Sequence, residues 1–394
     1  MPGIIVNPRA RIFHGHCWVY SSEIKKTFGN PQPGDVITMK DFKDRPLGSA
    51  IYNPNSQIVA RRFARRKQDL DADFFRRRIS QAAQRREGKG APGVDPKLCR
   101  LVWSESDGIP GLVVDRYGDY LVVQALTLAM DSRLGLIAEV LVELFSPTGI
   151  VARNDASVRV AEGLELEVKM LAGGEPEPFR VTSGGLSFLV DLLGGQKTGL
   201  YLDQLGNYGA VGEMADGKRV LDCFTNQGGF ALACARAGAS SVTGVDSSPP
   251  ALANAAENAE AIGVADKIEW VEANVFDFLK EAESNEERYD LIVLDPPSFT
   301  RSKRAVRDAM RGYKEIHLRA LKMLEPGGRL ATYTCSHHVG RPEFLEMLCG
   351  ASVDAKRSIR QVEVHTQRAD HPIVITVPET EYLKGIVVEV IPSW

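Results

Sequence analysis

The chain lacks the marks of a membrane, secreted or metal-clamped protein. No stretch approaches the roughly 20 consecutive apolar residues that a bilayer-spanning helix needs. The opening MPGIIVNPRARIF has neither the apolar core nor the cleavage site of a signal peptide. A cytoplasmic protein is expected. Cysteine is scarce, six in 394 residues at positions 17, 99, 223, 234, 335 and 349, and no two stand as C-x-x-C. That scatter argues against a disulfide framework and against zinc, so no metal is expected. The full G-x-G-x-x-G of dinucleotide folds is missing as well, which disfavours a diphosphate cofactor.

What is present is a soluble composition, 44% apolar and 25% charged, in a chain long enough for two or three units. The net charge of −3 conceals an asymmetry: residues 1 to 90 carry 18 Lys and Arg against 8 Asp and Glu, a net +10 that leaves −13 for the rest. A basic front end points to a nucleic-acid partner.

The organising stretch is RVLDCFTNQGGFALACARAGASSVTGVD, Arg219 to Asp246. Val220 and Leu221 open an apolar strand that ends at Asp222. A turn runs through Asn226, Gly228 and Gly229, and Phe230 to Ala237 is alanine-rich and helix-prone. A second strand, Ser241 to Val245, delivers Asp246, 24 residues beyond Asp222, where nucleoside folds place their ribose-binding acid. Glycines let the backbone approach a ligand, and without the phosphate fingerprint a nucleoside lacking phosphates fits best, as in S-adenosylmethionine. A plain strand-turn-helix without ligand is the competing reading. Beyond Asp246 the pattern continues with Pro249 to Ile262, Ile268 to Val271, Val275 to Ala282, Tyr289 to Leu294, Ala305 to Leu324 and Arg329 to Thr334. Such alternation predicts an α/β fold with a parallel, Rossmann-like sheet. Ligands bind beyond the carboxyl ends of such strands, which gathers Asp222, Asp246, Asn274, Asp295 and Cys335 along one edge.

Upstream, short strands are expected at Arg11 to Val19, Asp35 to Lys40, Leu47 to Ile51 and Gln57 to Phe63, as in a small barrel. A helix from Asp71 to Glu87 follows, within a dense basic set from Arg61 to Lys89 that serves either as phosphate contacts or as a solvated helix face. After the GKGAPGVDP linker, strands Leu98 to Trp103, Gly111 to Asp115, Tyr120 to Leu126 and Gly149 to Arg153, with a helix near Ser132 to Phe145, predict a small α/β unit.

These segments carry a family resemblance. Gly15-His16-Cys17-Trp18-Val19-Tyr20, Pro33-Gly34-Asp35-Val36 and Gly48-Ser49-Ala50-Ile51-Tyr52-Asn53-Pro54 are similar to the opening PUA domain of the RlmI-type 23S rRNA methyltransferases. Glu105 to Leu112, Asp115 to Gly118 and Arg153-Asn154-Asp155 are similar to the family's central domain. Gln196 to Gln204 resembles the segment that closes over the cofactor, and Asp295-Pro296-Pro297-Ser298-Phe299 resembles the D-P-P-x-[FY] of methyltransferases acting on a base. The resemblance spans the chain and implies three parts: a PUA-like barrel over 1–68, a central α/β domain over 69–180 and a class I methyltransferase domain over 181–394. It implies S-adenosylmethionine as cofactor and RNA, 23S rRNA, as partner, and leaves the oligomeric state open, a homodimer included. It assigns cofactor contacts to Lys197, Thr198, Tyr201, Asp203, Asp222, Phe224, Thr225, Gly228, Asp246, Ser247, Asn274, Val275, Asp295 and Pro297. Asn274 stands where the family commonly has an aspartate, though an amide oxygen accepts the same hydrogen bond.

Cys335, in Tyr333-Thr334-Cys335-Ser336-His337-His338, is the candidate nucleophile, with Asp295 as its catalytic partner. Carbon 5 of cytosine is too poor a nucleophile to take a methyl group from a sulfonium unless something first adds to carbon 6, and a thiolate does this well. Ser298 is a poor base, so the acceptor of the carbon 5 proton is left among His337, His338 and water. A buried, inert thiol is the competing reading for Cys335. Arg301, Lys303, Arg304, Arg307, Arg311 and Lys314 offer either phosphate contacts or a solvated face, and His371 reads as structural. The expected activity is formation of 5-methylcytosine in large-subunit rRNA. The alternatives are RNA base N-methylation without a covalent intermediate and a noncatalytic RNA-binding protein.

Overall fold

The alternation of apolar strands and helices after residue 218 builds one seven-stranded sheet. In the computed structural model, which describes residues 2–8, 10–88, 90–195, 198–299 and 306–392, its strands, numbered within this sheet, are β1 (Arg219–Cys223), β2 (Ser241–Asp246), β3 (Ile268–Glu272), β4 (Tyr289–Leu294), β5 (Leu324–Thr334), β6 (Ser358–Thr366) and β7 (Lys384–Ile391). Their order is β3-β2-β1-β4-β5-β7-β6. Pairings from β3 through β5 are parallel, and β7 runs antiparallel to both β5 and β6. The central strands are covered on both faces, which is why they read as continuous apolar runs and not as alternating ones. Leu221, Cys223, Ile292, Leu294 and Leu330 are buried in one core with Leu279, Ile316 and Leu348 from the flanking helices. The chain leaves β1 to one side and later enters β4 on the other, so the crevice between these two strands is the switch point where doubly wound sheets take their ligands.

The contacts within the chain divide it into two compact units. One comprises residues 182–189, 203–368 and 381–394 and holds this sheet; the other comprises 1–181, 190–202 and 369–380. In the second of these, six strands form a sheet in the order Trp18–Tyr20, Ile58–Ala64, Pro46–Tyr52, Val36–Lys40, Gly3–Val6, Ile24–Phe28, and five more form a sheet in the order Glu167–Gly173, Gly149–Asn154, Tyr120–Ala125, Leu112–Tyr117, Leu98–Trp103. The single strand expected from Arg11 to Val19 is instead a 3-10 turn, Arg11–His14, followed by Trp18–Tyr20. Gly15 makes the break: at φ of 90° its N–H bonds back to Ile12 O, a conformation that strand residues do not take. The helix Ala72–Glu87 forms as expected, its amino end capped by Asp71, whose carboxylate accepts from Phe74 N at 2.8 Å. It buries Phe74, Phe75 and Ile79, and also Arg86, whose guanidinium pairs with Asp107 at 2.7 and 2.8 Å and donates to Asp370 O at 2.8 Å.

Candidate active site

The turn after β1 is built on an unusual backbone. Phe224 and Asn226 take φ of 63° and 49°, and Gly228 takes 83°. Only glycine enters this region without steric cost, so the two other residues carry strain of the kind that collects at functional turns. The turn is tied down by Thr225 N to Val245 O at 3.1 Å and by Asn226 N to one Asp246 carboxylate oxygen at 2.9 Å. The other Asp246 oxygen accepts from Ser248 N at 3.0 Å, so this acid links the turn after β1 to the turn after β2. Ser247, between them, is exposed.

Asp222 is fully buried beneath that turn. Its Oδ2 accepts from Thr225 Oγ1 at 2.6 Å and Ala231 N at 3.0 Å, while its Oδ1 is buried with no hydrogen-bond partner among the described residues. Burial pushes its pKa up to about 7. The two hydrogen bonds oppose that shift, and the negative charges of Asp295 and Asp246 add to it. Asn274 caps the helix Val275–Ser284, its Oδ1 accepting from Phe276 N at 2.9 Å, and Val275 is buried behind it. Close by, Trp270 of β3 lies against Gly228 and Gly244: a Cβ on either would stand 2.8 or 2.5 Å from its ring.

Asp295 follows β4 directly, and its carboxylate is gripped by Gln204, whose Nε2 donates to Oδ2 at 2.8 Å. Gln204 is itself buried and held by Asn207, which donates to its Oε1 at 2.6 Å. Pro296 is buried, Pro297 and Ser298 are exposed, and Phe299 packs on Tyr313 with ring centres 4.6 Å apart. Cys335 follows β5, the parallel neighbour of β4 in which Thr332 stands opposite Leu294. Its thiol is partly exposed and forms no disulfide, unlike the buried Cys223 and Cys234, whose pKa burial raises far out of reach. The strand end that carries it is fixed from behind. His317 accepts or donates at Thr332 Oγ1 at 2.6 Å, Thr334 Oγ1 donates to Tyr313 Oη at 3.1 Å, and Ser336 N donates to Thr334 Oγ1 at 3.3 Å. From β7, the buried Lys384 donates through Nζ to Ser336 O at 2.9 Å. Burial lowers the pKa of Lys384, opposed by Glu381 and by the sulfur of Cys335. Burial raises that of Tyr313, and charge on Cys335 and Asp295 adds to the rise. One lysine and one tyrosine therefore sense the sulfur, and the tyrosine senses the acid too.

The structure thus gathers Asp222, Phe224, Thr225, Gly228, Asp246, Ser247, Asn274, Val275, Asp295, Pro297 and Cys335 at the carboxyl ends of β1 to β5. Asp203 belongs to the same unit, where it is buried and accepts from Tyr382 Oη at 2.7 Å. Thr198 and Tyr201 belong to the other unit. There Thr198 is buried, donating to Asp115 Oδ2 at 2.7 Å and lying 3.2 Å from Tyr117 Oη. Lys197 lies outside the described residues, as do Arg301, Lys303 and Arg304. Of the remaining cations after the Asp-Pro-Pro turn, Arg311 pairs with Asp308 and Lys314 with Asp354, and Arg307 is exposed. His337 and His338 are exposed, and His371 is buried against Asp370 at 2.9 Å in the other unit. Among the described residues no three His, Cys, Asp or Glu side chains cluster as a metal site, and no helix is long and apolar enough to cross a membrane. Sequence reasoning missed Gln204, Tyr313 and Lys384 as site residues; for Gln204 the available signal was its place at the end of the Gln196 to Gln204 segment, and for the other two there was none.

A cationic cofactor suits this edge. Among the described residues Asp222 and Asp246 form no ion pair, and the orphaned Oδ1 of Asp222 in an acid-rich crevice calls for a positive or hydrogen-bonding ligand group. S-adenosylmethionine, with a sulfonium and an ammonium, meets that demand.

A doubly wound sheet with an antiparallel β7, a strained turn after β1 and acids at the switch point define a Rossmann-like, S-adenosylmethionine-dependent methyltransferase. The comparisons with known proteins agree. The S-adenosylmethionine-dependent methyltransferase family matches residues 164–376, and a PUA-like domain family matches residues 4–65. The chain is 37% identical to ribosomal RNA large subunit methyltransferase I of Erwinia tasmaniensis, over 95% of this chain and 96% of that protein. It is 39% identical to the enzyme of the same name from Aeromonas hydrophila, over 95% of both. A solved structure described as a SAM-dependent methyltransferase from Streptococcus mutans superimposes with a TM-score of 0.84 at 22% identity, covering 99% of this chain and 100% of that one, which speaks for the fold alone. The chain belongs to the ribosomal RNA large subunit methyltransferase I family.

Proposed function

We propose that the protein methylates carbon 5 of a cytosine in large-subunit ribosomal RNA, with Cys335 as nucleophile and Asp295 as the group that faces the base. The observation that carries this reading is a partly exposed thiol, not tied up in a disulfide, at the end of β5, one strand from an oriented carboxyl group at the end of β4. A transferase acting on a ring nitrogen needs no thiol there. The rRNA assignment rests on the names of the relatives.

Residues 224–228, Asp246 with Ser247, and Asn274 with Val275 hold the cofactor in this reading. Bound S-adenosylmethionine supplies an electrophilic methyl group on a sulfonium. Everything else falls to the chain. The Cys335 thiolate adds to carbon 6, forming a C–S bond and moving the ring's electron pair toward carbon 5. Asp295, oriented by Gln204 and protonated at this step, donates its O–H to N3 and so offsets the negative charge that builds on the ring. Once carbon 5 carries the methyl group, its proton must leave to a base so that the C5=C6 bond reforms and the sulfur departs. His337, His338 and solvent water are the candidates for that base, and both imidazoles are exposed.

Incubation with cofactor and RNA containing 5-fluorocytosine tests this directly. Fluorine blocks the final proton loss, so a covalent RNA adduct mapped by mass spectrometry to Cys335 is expected, and Cys335→Ala should abolish it. Methylation of unmodified RNA by Cys335→Ala at an undiminished rate would overturn the thiol mechanism.

A further inference from the structure

Outside the catalytic sheet, the arginines of residues 58–89 fall into two structurally different groups. Arg76 pairs with Asp73 and Glu143, Arg85 and Arg86 with Asp107, and Arg61 with Glu105. These are structural cations. Arg62, Arg65, Arg66, Arg77 and Arg78 instead line one open cleft of about 760 Å³ between the strand Ile58–Ala64 and the helix Ala72–Glu87. Among the described residues none of the five meets a carboxylate. Arg77 donates to Gln68 Oε1 at 3.1 Å, and Arg78 Nε is buried without a partner.

Five like charges in one cleft repel one another, and two are partly desolvated as well. Burial and then the charge of Arg65 lower the pKa of Arg62, and burial and then Arg77 lower that of Arg78. Among the described residues no carboxylate pairs with these five to offset the cost, and Arg78 lies over the Phe74 ring at 5.9 Å. One phosphate ion would engage two guanidiniums at most in bidentate fashion, so five spread over a strand, its exit and a helix match a run of phosphates. The aromatic residues of the lining, Phe63 and Phe74, are buried in the core and offer no face for a base to stack on.

We propose that this cleft is a docking groove for the phosphodiester backbone of RNA, holding the strand by charge and not by sequence. The proposal rests on the reading of the protein as an RNA methyltransferase and names the surface that grips the substrate.

The experiment uses the full-length protein and a mixed-sequence RNA oligonucleotide, with affinity measured across a salt series. Arg65, Arg66 and Arg77 are exposed, so glutamine at these positions leaves the core intact. Each lost phosphate contact should flatten the slope of log affinity against log salt by roughly 0.7 to 0.9, so R65Q/R66Q/R77Q should lose between about two and three in slope, equally for RNAs of different sequence. Arg76→Gln, on the same helix but paired with Glu143, should leave the slope unchanged. An unaltered slope and affinity in the triple variant would overturn the proposal. So would displacement of RNA by low concentrations of inorganic phosphate, which would make the cleft a single-anion site. The 5-fluorocytosine adduct, assayed on the wild type in parallel, separates the two readings. A slope change without any adduct retains the groove and removes the methylation chemistry, and an adduct with unchanged slope does the reverse.

Discussion

Cys335 is one of six cysteines, and what distinguishes it is its electrostatic neighbourhood. Cys17, Cys223 and Cys234 are disfavoured as thiolates by burial, the first with a pKa pushed up to about 12. Cys335 is partly exposed and lies near an ammonium that cannot wander, because Lys384 is buried and anchored on Ser336 O. A fixed cation in a site of reduced dielectric favours the thiolate over the thiol. Lys384→Met is therefore expected to slow alkylation of Cys335 by iodoacetamide at neutral pH on the order of tenfold, read from the modified peptide by mass spectrometry. Lys384→Arg should retain most of the rate. Equal rates in all three proteins would show that Lys384 only closes the sheet. The placement of Asp222, Asp246, Asp295 and Cys335 along one edge was legible in the sequence because each directly follows or ends an apolar strand, and strand ends are what a periodic pattern marks. Gln204 and Lys384 were not, since their partners lie 91 and 48 residues away and only folding brings them together.

At the level of elements, the helix Val306–Lys322 is keyed to β5 by a histidine that must stay neutral. His317 is fully buried, with Nδ1 2.6 Å from Tyr313 O and Nε2 2.6 Å from Thr332 Oγ1, and burial lowers its pKa to about 4. The unfolded chain binds a proton there near pH 6.5 while the native state does not, so stability falls as pH drops from about 6.5 and levels off near 4. The span is about 3 kcal/mol. Asp222 works in the opposite sense. Its native pKa is raised to about 7, so its contribution is fully present below pH 4 and is lost as pH rises through 7. The two slopes oppose each other between pH 4 and 6.5. Urea unfolding of His317→Gln across that range should therefore show stability declining toward neutral pH relative to wild type, and Asp222→Asn should show it rising. Parallel curves for all three proteins would remove both assignments. The helix meets β5 at Thr332 and Thr334, directly before the strand end that carries Cys335.

At the scale of the whole molecule, two returns of the chain matter. Residues 190–202 and 369–380 belong to the unit otherwise formed by residues 1–181. The second return carries structural work: Asp370 accepts from Arg100 N at 2.9 Å and, through its carbonyl, from the buried Arg86, while Glu379 meets Arg11 and His16 at 3.2 and 2.9 Å. A fragment ending at residue 181 loses these partners and leaves Arg86 short of an acceptor where it is fully buried. Uncompensated buried polar groups cost about 1–3 kcal/mol each, more when charged. The fragment is expected to unfold at lower urea concentration than the same unit in the full chain, followed by circular dichroism. Coincident midpoints would show that the return segments contribute little. Nothing in the sequence announced this topology. The stretch from His371-Pro372-Ile373 to Gly385 reads as closing strands, whereas the strand begins only at Lys384, and no local pattern records which unit a loop will pack against.

Those returns also bear on how the protein is made. A polypeptide emerges from its amino end, so the unit that carries the arginine cleft lacks its final piece until residue 380 has been added, when β7, the strand that joins β5 to β6, is still to come. A nascent or prematurely terminated chain would present the arginines on an unfinished scaffold.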